Sequence, residues 1–257
     1  MFGAGGRMGS TVCQAVMADD QLELVAAVDP HHSGLDISRV AGVTGCDLQI
    51  AGDPQAFIDA NVDVAIDFTE AAAARTNIMW LAEHGIHAVV GTTGFDDADL
   101  ASFEAAFARS NCVIAPNFAI GAVLMIKFAA MAAPYFETAE IIEFHHDQKV
   151  DAPSGTANFT AQRMAEASAE WADDPTRKVI YDGARGGVGP AGIHVHSVRM
   201  RGMVAHQEVL LGTMGQTLLI RHDSIDRTSF MPGVLLATKA VRERSGVTIG
   251  LDALLDL

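Results

Sequence analysis

Apolar and polar positions along this chain follow two regimes. Over the first 117 residues, short apolar runs alternate with stretches of helical spacing. Residues 11–17 read as a helix and 22–28 as a strand ending in Asp29. Residues 31–54 show little periodicity and read as a surface excursion with a short strand at 48–50. Residues 62–68 are a strand, and Thr69 is expected to cap an alanine-rich helix over 70–84 that Gly85 ends. A buried strand at 86–90 leads into the turn Gly91-Thr92-Thr93-Gly94. A helix over 96–109 places Leu100, Phe103 and Phe107 on one side, and a strand at 112–115 ends at Pro116-Asn117-Phe118. Strands alternating with helices predict an α/β parallel sheet covered on both faces.

After a helix over 120–133 the pattern changes. A strand runs into Glu143-Phe144-His145-His146, and a helix is expected over 157–171. Residues 173–190 are loop-like. Strands at 193–200, 203–211 and 217–222 imply an open, mostly antiparallel sheet. A final helix over 224–243 returns to the first domain, and 251–257 is a short tail. The expected division is residues 1–117, rejoined by 226–257, and an α+β domain of residues 118–225. Such a sheet, open on one side, is a place for subunits to join.

Composition narrows the function. Hydrophobic residues make up 49% and charged residues 19%, enough for a real core. A net charge of −15 argues against nucleic acid or an anionic membrane as the main partner. Cys13, Cys46 and Cys112 lack paired spacing, so no structural zinc is expected and a cytoplasmic setting is. The apolar run 118–136 carries Lys127 at its centre and reads as a buried helix, not a membrane span. His194 and His196 share a sheet face, read as a polar face or interface and not as a metal site.

The N-terminus carries the first chemical signal. Gly3-Ala4-Gly5-Gly6-Arg7-Met8-Gly9 is followed by a helix, a strand and Asp29, twenty residues beyond Gly9. This is the Rossmann-type dinucleotide pattern, with pyrophosphate on the helix start and the acid on the ribose hydroxyls. Asp67-Phe68-Thr69, Gly91-Thr92-Thr93 and Ala115-Pro116-Asn117-Phe118 fall at strand ends and, as a set with the glycine loop, look like a cofactor rim. No Arg or Lys directly follows Asp29, so NADH is expected over NADPH. A strand should precede Gly3, where only Met1 and Phe2 stand, and residues before this start are expected.

The second signal is the stretch from Glu143 to Ala157. It packs His145, His146, Lys149 and Asp151 just before Pro153-Ser154-Gly155-Thr156, a helix start. Cations beside the free N–H groups of a helix N-terminus suit a small anion that also needs proton transfer. A lone histidine is more often a core residue; this combination is not. Adjacent strand residues face opposite ways, so both histidines meet one ligand only if the turn begins at the pair. His145 and Lys149, four apart, share a face in a regular element and make the acid/base couple.

Taken together, residues 3–9, Gly91-Thr-Thr-Gly94, Ala115-Pro-Asn-Phe118 and His-His-x-x-Lys-x-Asp-Ala-Pro-Ser-Gly-Thr-Ala (145–157) resemble the 4-hydroxy-tetrahydrodipicolinate (dihydrodipicolinate) reductase family. The resemblance runs from Gly3 to the C-terminus. It implies reduction of a small cyclic dicarboxylate by NADH or NADPH with loss of water, in the diaminopimelate route to lysine. It also implies a homotetramer joined through the second domains. By the same resemblance His145 is the acid/base group and Lys149 the proton donor. His146, Ser154, Gly155 and Thr156 hold a substrate carboxylate, and Gly3 to Met8, Asp29, Gly91 to Thr93 and Ala115 to Phe118 line the cofactor. Two other readings share these motifs: a reductase for a different small keto or imino acid, and an NADH-binding redox sensor. The sensor would need no acid/base couple.

Overall fold

The computed structural model describes residues 1–255. In chain order, α1 (Arg7–Met17), α2 (Ile37–Ala41), α3 (Gln55–Asp59), β1 (Val64–Asp67), α4 (Ala71–His84), β2 (His87–Val90), α5 (Asp97–Ala106) and β3 (Cys112–Ile114) come first. Then follow α6 (Ile120–Ala132), β4 (Thr138–His145), α7 (Gly155–Ala167), β5 (Gly187–Val188), β6 (His194–Arg199), β7 (Ala205–Thr213) and β8 (Gln216–Ser224). The chain closes with α8 (Met231–Ala240) and β9 (Val247–Ile249). Two compact units result: Met1–Ile120 with the segment from Arg227 onward, and Gly121–Asp226.

The first unit holds a parallel sheet in the order β1-β2-β3-β9. Single-residue parallel bridges extend it beyond β1: Phe2 to Asp67, Phe2 to Val28, and Val28 to Ala51. Across the sheet the order is therefore Ala51, Val28, Phe2, β1, β2, β3, β9. Chain order reverses between Phe2 and β1, and doubly wound sheets bind ligands at such a switch point. The strands read as apolar runs because both faces are covered. Phe2 packs edge-on against Phe57 at 4.7 Å, over Ile78, Leu81 and Phe103.

Several local expectations change. Residues 22–28 form no regular strand. Only Val28 forms bridges, to Phe2 and to Ala51, and the Met1 carbonyl accepts its N–H at 2.8 Å. Thr69 does not cap α4. Its N–H and Oγ1 donate instead to Asp67 Oδ1 at 2.8 and 2.7 Å, and Glu70 becomes an N-cap without a side-chain bond. Gly85 does end that helix, in the left-handed conformation at φ +70°. The excursion 31–54 contains α2 and the one-residue antiparallel bridge Asp36–Gln49. The expected helix over 224–243 is shorter, since β8 runs to Ser224 and α8 waits for Pro232 in its first turn. Strand β9, unread in the sequence, lies just before the expected tail 251–257, of which residues 256–257 lie outside the described residues.

The second unit is a sheet in the order β5-β6-β4-β7-β8. Only β4 and β6 run parallel; the other neighbours are antiparallel. Helix α7 begins two residues earlier than expected, with Ser154 accepting the Ala157 N–H at its cap. Along β4, Ile141 and Glu143 are fully buried. Ile141, Val195, Val209 and Leu211 pack against Ala157, Ala161 and Met164 of α7 and Met125 and Ala129 of α6. Leu210 and Leu219, paired across β7 and β8, remain exposed. Among the described residues no helix is long and apolar enough to cross a membrane.

Candidate active site

In the first unit the glycine loop is shaped by close approach. Gly3 sits at φ +68°, and a Cβ on Gly9 would lie 1.9 Å from the Gly3 carbonyl oxygen. Only glycine lets helix α1 start against that turn. The helix N-cap, Gly6, supplies no side-chain acceptor, so the N–H groups of the first turn are left for an anion. Asp29 ends the second sheet position and is buried. Its Oδ2 accepts the Gly5 N–H at 2.9 Å and its Oδ1 the His31 N–H at 3.0 Å. His32 Nδ1 lies 3.2 Å from Asp29 Oδ2, and a Cβ on Gly5 would strike the His32 ring at 2.2 Å. Burial alone would raise the Asp29 carboxyl; contacts from His32, Gly5 and His31 outweigh it and hold it low.

The other cofactor candidates fall at the C-terminal ends of the parallel strands. Gly91 follows β2, and a Cβ there would meet the Phe68 ring at 2.1 Å. The Thr92 hydroxyl donates to the Thr69 carbonyl at 2.9 Å and is buried, whereas Thr93 is exposed. After β3, Ala115 and Phe118 are buried and Pro116 is exposed; Asn117 Oδ1 accepts the Ala119 N–H at 2.9 Å. Ala4 is fully buried, Gly6 and Arg7 are exposed, and Met8 is half-buried. Asp67, expected with Phe68 and Thr69 at one strand end of the cofactor rim, is fully buried and knots this edge. It takes both donors of Thr69 and the Asn77 amide at 2.7 Å. These residues fit a dinucleotide: a helix start without a cap, a glycine cradle that any Cβ would fill, and a buried acid, Asp29, bonded to the glycine loop.

In the second unit β4 ends at His145 and a turn opens at His146, where the Lys149 N–H donates to the His146 carbonyl at 3.2 Å. The break comes at the histidine pair. His145 and Lys149 therefore do not share a regular element, and the four-residue spacing does not relate their side chains. His145 Nδ1 lies 2.5 Å from Glu143 Oε2. Lys149 Nζ pairs with Asp151. His146 is exposed, Thr156 is half-buried, and Gly155 has open space where a Cβ would stand. Ser154 is buried and caps α7, leaving the Gly155 and Thr156 N–H groups without intrahelical acceptors.

Glu143 and Arg199 were given no role from sequence, yet they hold this loop. Arg199 Nη1 and Nη2 donate to Oε2 and Oε1 of Glu143, each at 2.8 Å. Arg199 Nη2 also donates to the Asp151 carbonyl at 2.7 Å, and the Ser154 N–H donates to Glu143 Oε1 at 3.1 Å. The signal lay in the strand period: an acid between Ile141 and His145 faces inward and needs a buried cation. Burial would raise Glu143; Arg199, Ser197 and His145 outweigh it and bring it down to about 2. Burial also pushes the His145 imidazole below its ordinary range. Glu143 pulls it back up, and the charges of Lys149 and Arg199 push it down again. His194 and His196 lie apart from this cluster, on the Arg185 carbonyl and on Glu140, each at 2.6 Å.

Comparison with known proteins agrees over the whole length. The family profiles described as "Dihydrodipicolinate reductase, N-terminus" and "Dihydrodipicolinate reductase, C-terminus" match residues 1–118 and 121–255. A 4-hydroxy-tetrahydrodipicolinate reductase of Mycolicibacterium vanbaalenii is 49% identical over 262 residues, covering 100% of this chain and 98% of the relative. One from Cutibacterium acnes is 48% identical over 264 residues, with the same coverage. The solved structure of a dipicolinate-bound dihydrodipicolinate reductase from Paenisporosarcina sp. TG-14 is 39% identical. It superposes with a TM-score of 0.85 over 98% of this chain and 97% of that one.

Proposed function

The chain belongs to the dihydrodipicolinate reductase family, and from that premise we propose which of its residues carry the family's reaction. It is an NAD(P)H-dependent oxidoreductase of the diaminopimelate route to lysine, reducing 4-hydroxy-tetrahydrodipicolinate to tetrahydrodipicolinate with loss of water. The observation that carries the assignment of roles is the single loop 143–156. It presents an oriented imidazole, a lysine and a helix start to one small volume of sequence.

Bound NAD(P)H supplies the hydride. The rest of the balance is one proton taken up and one water released. Loss of water takes a proton from the ring carbon beside the hydroxyl and delivers one to the leaving hydroxyl, with no net uptake; the electron-rich ring carbon left by hydride addition then receives the one proton consumed. His145 is the acid/base group, working through Nε2 because Nδ1 is committed to Glu143. Lys149 is the proton donor and the main local balance to the substrate's two carboxylates. The Gly155 and Thr156 N–H groups, with the Thr156 hydroxyl, Ser154 and His146, form the carboxylate cradle. Gly3, Ala4, Gly5, Gly6, Arg7 and Met8 seat the pyrophosphate. Asp29 takes the adenosine ribose, and Gly91–Thr93 with Ala115–Phe118 form the rim, with NADH preferred over NADPH.

The dipicolinate bound by the Paenisporosarcina relative is a planar dicarboxylate like this substrate and supports a site for a cyclic dicarboxylate. The open face of the second unit, with Leu210 and Leu219 exposed, is where we place the contacts of a homotetramer. The unpaired cysteines fit a cytoplasmic setting. The deciding assay is NADH oxidation with enzymatically generated 4-hydroxy-tetrahydrodipicolinate, beside NADH fluorescence with and without pyridine-2,6-dicarboxylate. Turnover together with a ternary complex is expected. NADH binding without turnover would turn the assignment toward the sensor.

A further inference from the structure

We propose that Glu143 is the positioning residue of this site, fixing His145 with its proton on Nδ1 and its Nε2 toward the substrate, and that Arg199 locks Glu143 to the carboxylate cradle. The inference rests on the reading of His145 as the acid/base group, but its central test does not use activity.

The contacts around Glu143 are complete. Its carboxylate is fully buried and takes Arg199 Nη1 and Nη2, the Ser154 N–H, His145 Nδ1 and the Ser197 side chain. A carboxylate can only accept, so the nitrogen facing it must carry the proton. Neutral His145 is thereby held as the Nδ1–H tautomer with a free lone pair on Nε2, and protonated His145 presents an Nε2–H. The same carboxylate reaches α7 through Ser154, and Arg199 reaches the Asp151 carbonyl. Acid/base group and cradle are thus two ends of one strut on β4 and β6.

Arg199 has a second consequence. An unbalanced Glu143 would repel a dianionic substrate and would favour imidazolium at His145. The guanidinium cancels that charge at the point where it arises, bidentate and in plane. The charged groups facing His145 are Glu143 on its own strand, Arg199 on β6 and Lys149 on the loop. The anion among them raises its titration and the two cations lower it.

The test is ¹⁵N NMR of His145 in the intact protein, with Glu143→Gln alongside. In the wild type above its titration, Nδ1 should be the protonated nitrogen. In Glu143→Gln the amide accepts or donates equally well, so both tautomers should appear. The His145 titration should move to lower pH, since the two cations then act unopposed. Turnover should fall by up to about 100-fold, the loss typical of a misoriented reacting group. An Nε2–H tautomer in the wild type overturns the proposal without any variant. An unchanged tautomer and titration in folded Glu143→Gln overturns it too. His145→Ala separates the two readings: turnover within threefold of wild type removes His145 from the chemistry, while the tautomer result still decides what Glu143 does.

Discussion

Lys149 Nζ lies 2.7 and 2.8 Å from the two carboxylate oxygens of Asp151, two residues further along the same loop. Asp151 is more than half exposed. Such a pair contributes roughly 0–1 kcal/mol, so its geometry says more about function than about stability. It keeps the lysine within the loop and ready to be claimed by a dianion.

Lys149→Ala should therefore leave the protein folded, with a stability change below about 1 kcal/mol. Turnover should drop by roughly 100-fold or more, the usual contribution of a positioned proton donor. NADH binding should stay the same, because Lys149 lies outside the glycine loop and the strand-end rim. If Lys149 and His145 act as a unit, the double variant will be far less impaired than the product of the singles. Steady-state kinetics of the set decide this, and turnover within threefold of wild type takes Lys149 out of the mechanism.

Gly155→Ala tests the cradle. A Cβ at Gly155 meets no protein atom within 4 Å, so the substitution fits the fold and should not lower the melting temperature. In the proposed cradle the methyl would stand where a carboxylate approaches the helix start. The substrate KM should rise about tenfold or more, with kcat less affected, the pattern of a contact equal in ground and transition states. Thr156→Val should act in the same direction through its hydroxyl. An unchanged KM in both variants would place the substrate carboxylate elsewhere.

Acid should weaken the fold through Glu143. Its carboxyl is brought from 4.5 to about 2, so protons bind the unfolded chain first as pH falls. The stabilisation is complete above about pH 4.5 and is lost between there and about pH 2. A gap of this size corresponds to roughly 3 kcal/mol, shared with Arg199 and His145. Urea unfolding at pH 6 and pH 3 measures it. Glu143→Gln should be less stable at pH 6 and should lose less between the two. An equal loss in variant and wild type would mean that other carboxylates carry the acid sensitivity.

Where the chain's own spacing governs structure, the sequence was legible. Gly85 ends α4 and Ser154 opens α7, because a left-handed glycine and a capping hydroxyl act within a turn of themselves. The alternation of strands and helices led to the parallel sheet for the same local reason. What stayed hidden depends on distant partners. Residues 22–28 carry a strand pattern, but a ladder depends on its neighbours, and only Val28 bridges them, at Phe2 and Ala51. Strand β9 is three residues long and exists because β3 lies beside it. Glu143 stood in plain view beside His145, yet its meaning depends on Arg199, fifty-six residues away. The β4–β6 register that sets His145 opposite Arg199 is set by the packed sheet and not by any local signal.

In the proposed cofactor site, the choice between NADH and NADPH turns on Asp29. Its two oxygens are held by the Gly5 and His31 N–H groups, which fix the carboxylate at the end of the second sheet position and leave lone pairs for a ribose diol. A 2′-phosphate there would meet a buried carboxylate whose charge is kept by its neighbours. Arg7, exposed at the start of α1, is the cation nearest in the motif. NADH should therefore be used with a higher kcat/KM than NADPH. Asp29→Asn removes the charge and one of two acceptors, so it should lower NADH use, raise NADPH use relative to it, and destabilise the loop by about 1 kcal/mol. Arg7→Ala should weaken both cofactors through the pyrophosphate, and NADPH no more than NADH. Measuring kcat/KM for both cofactors in the three proteins resolves the roles. A wild-type preference for NADPH, lost selectively in Arg7→Ala, would overturn the reading of Asp29 and make Arg7 the ligand of the phosphate.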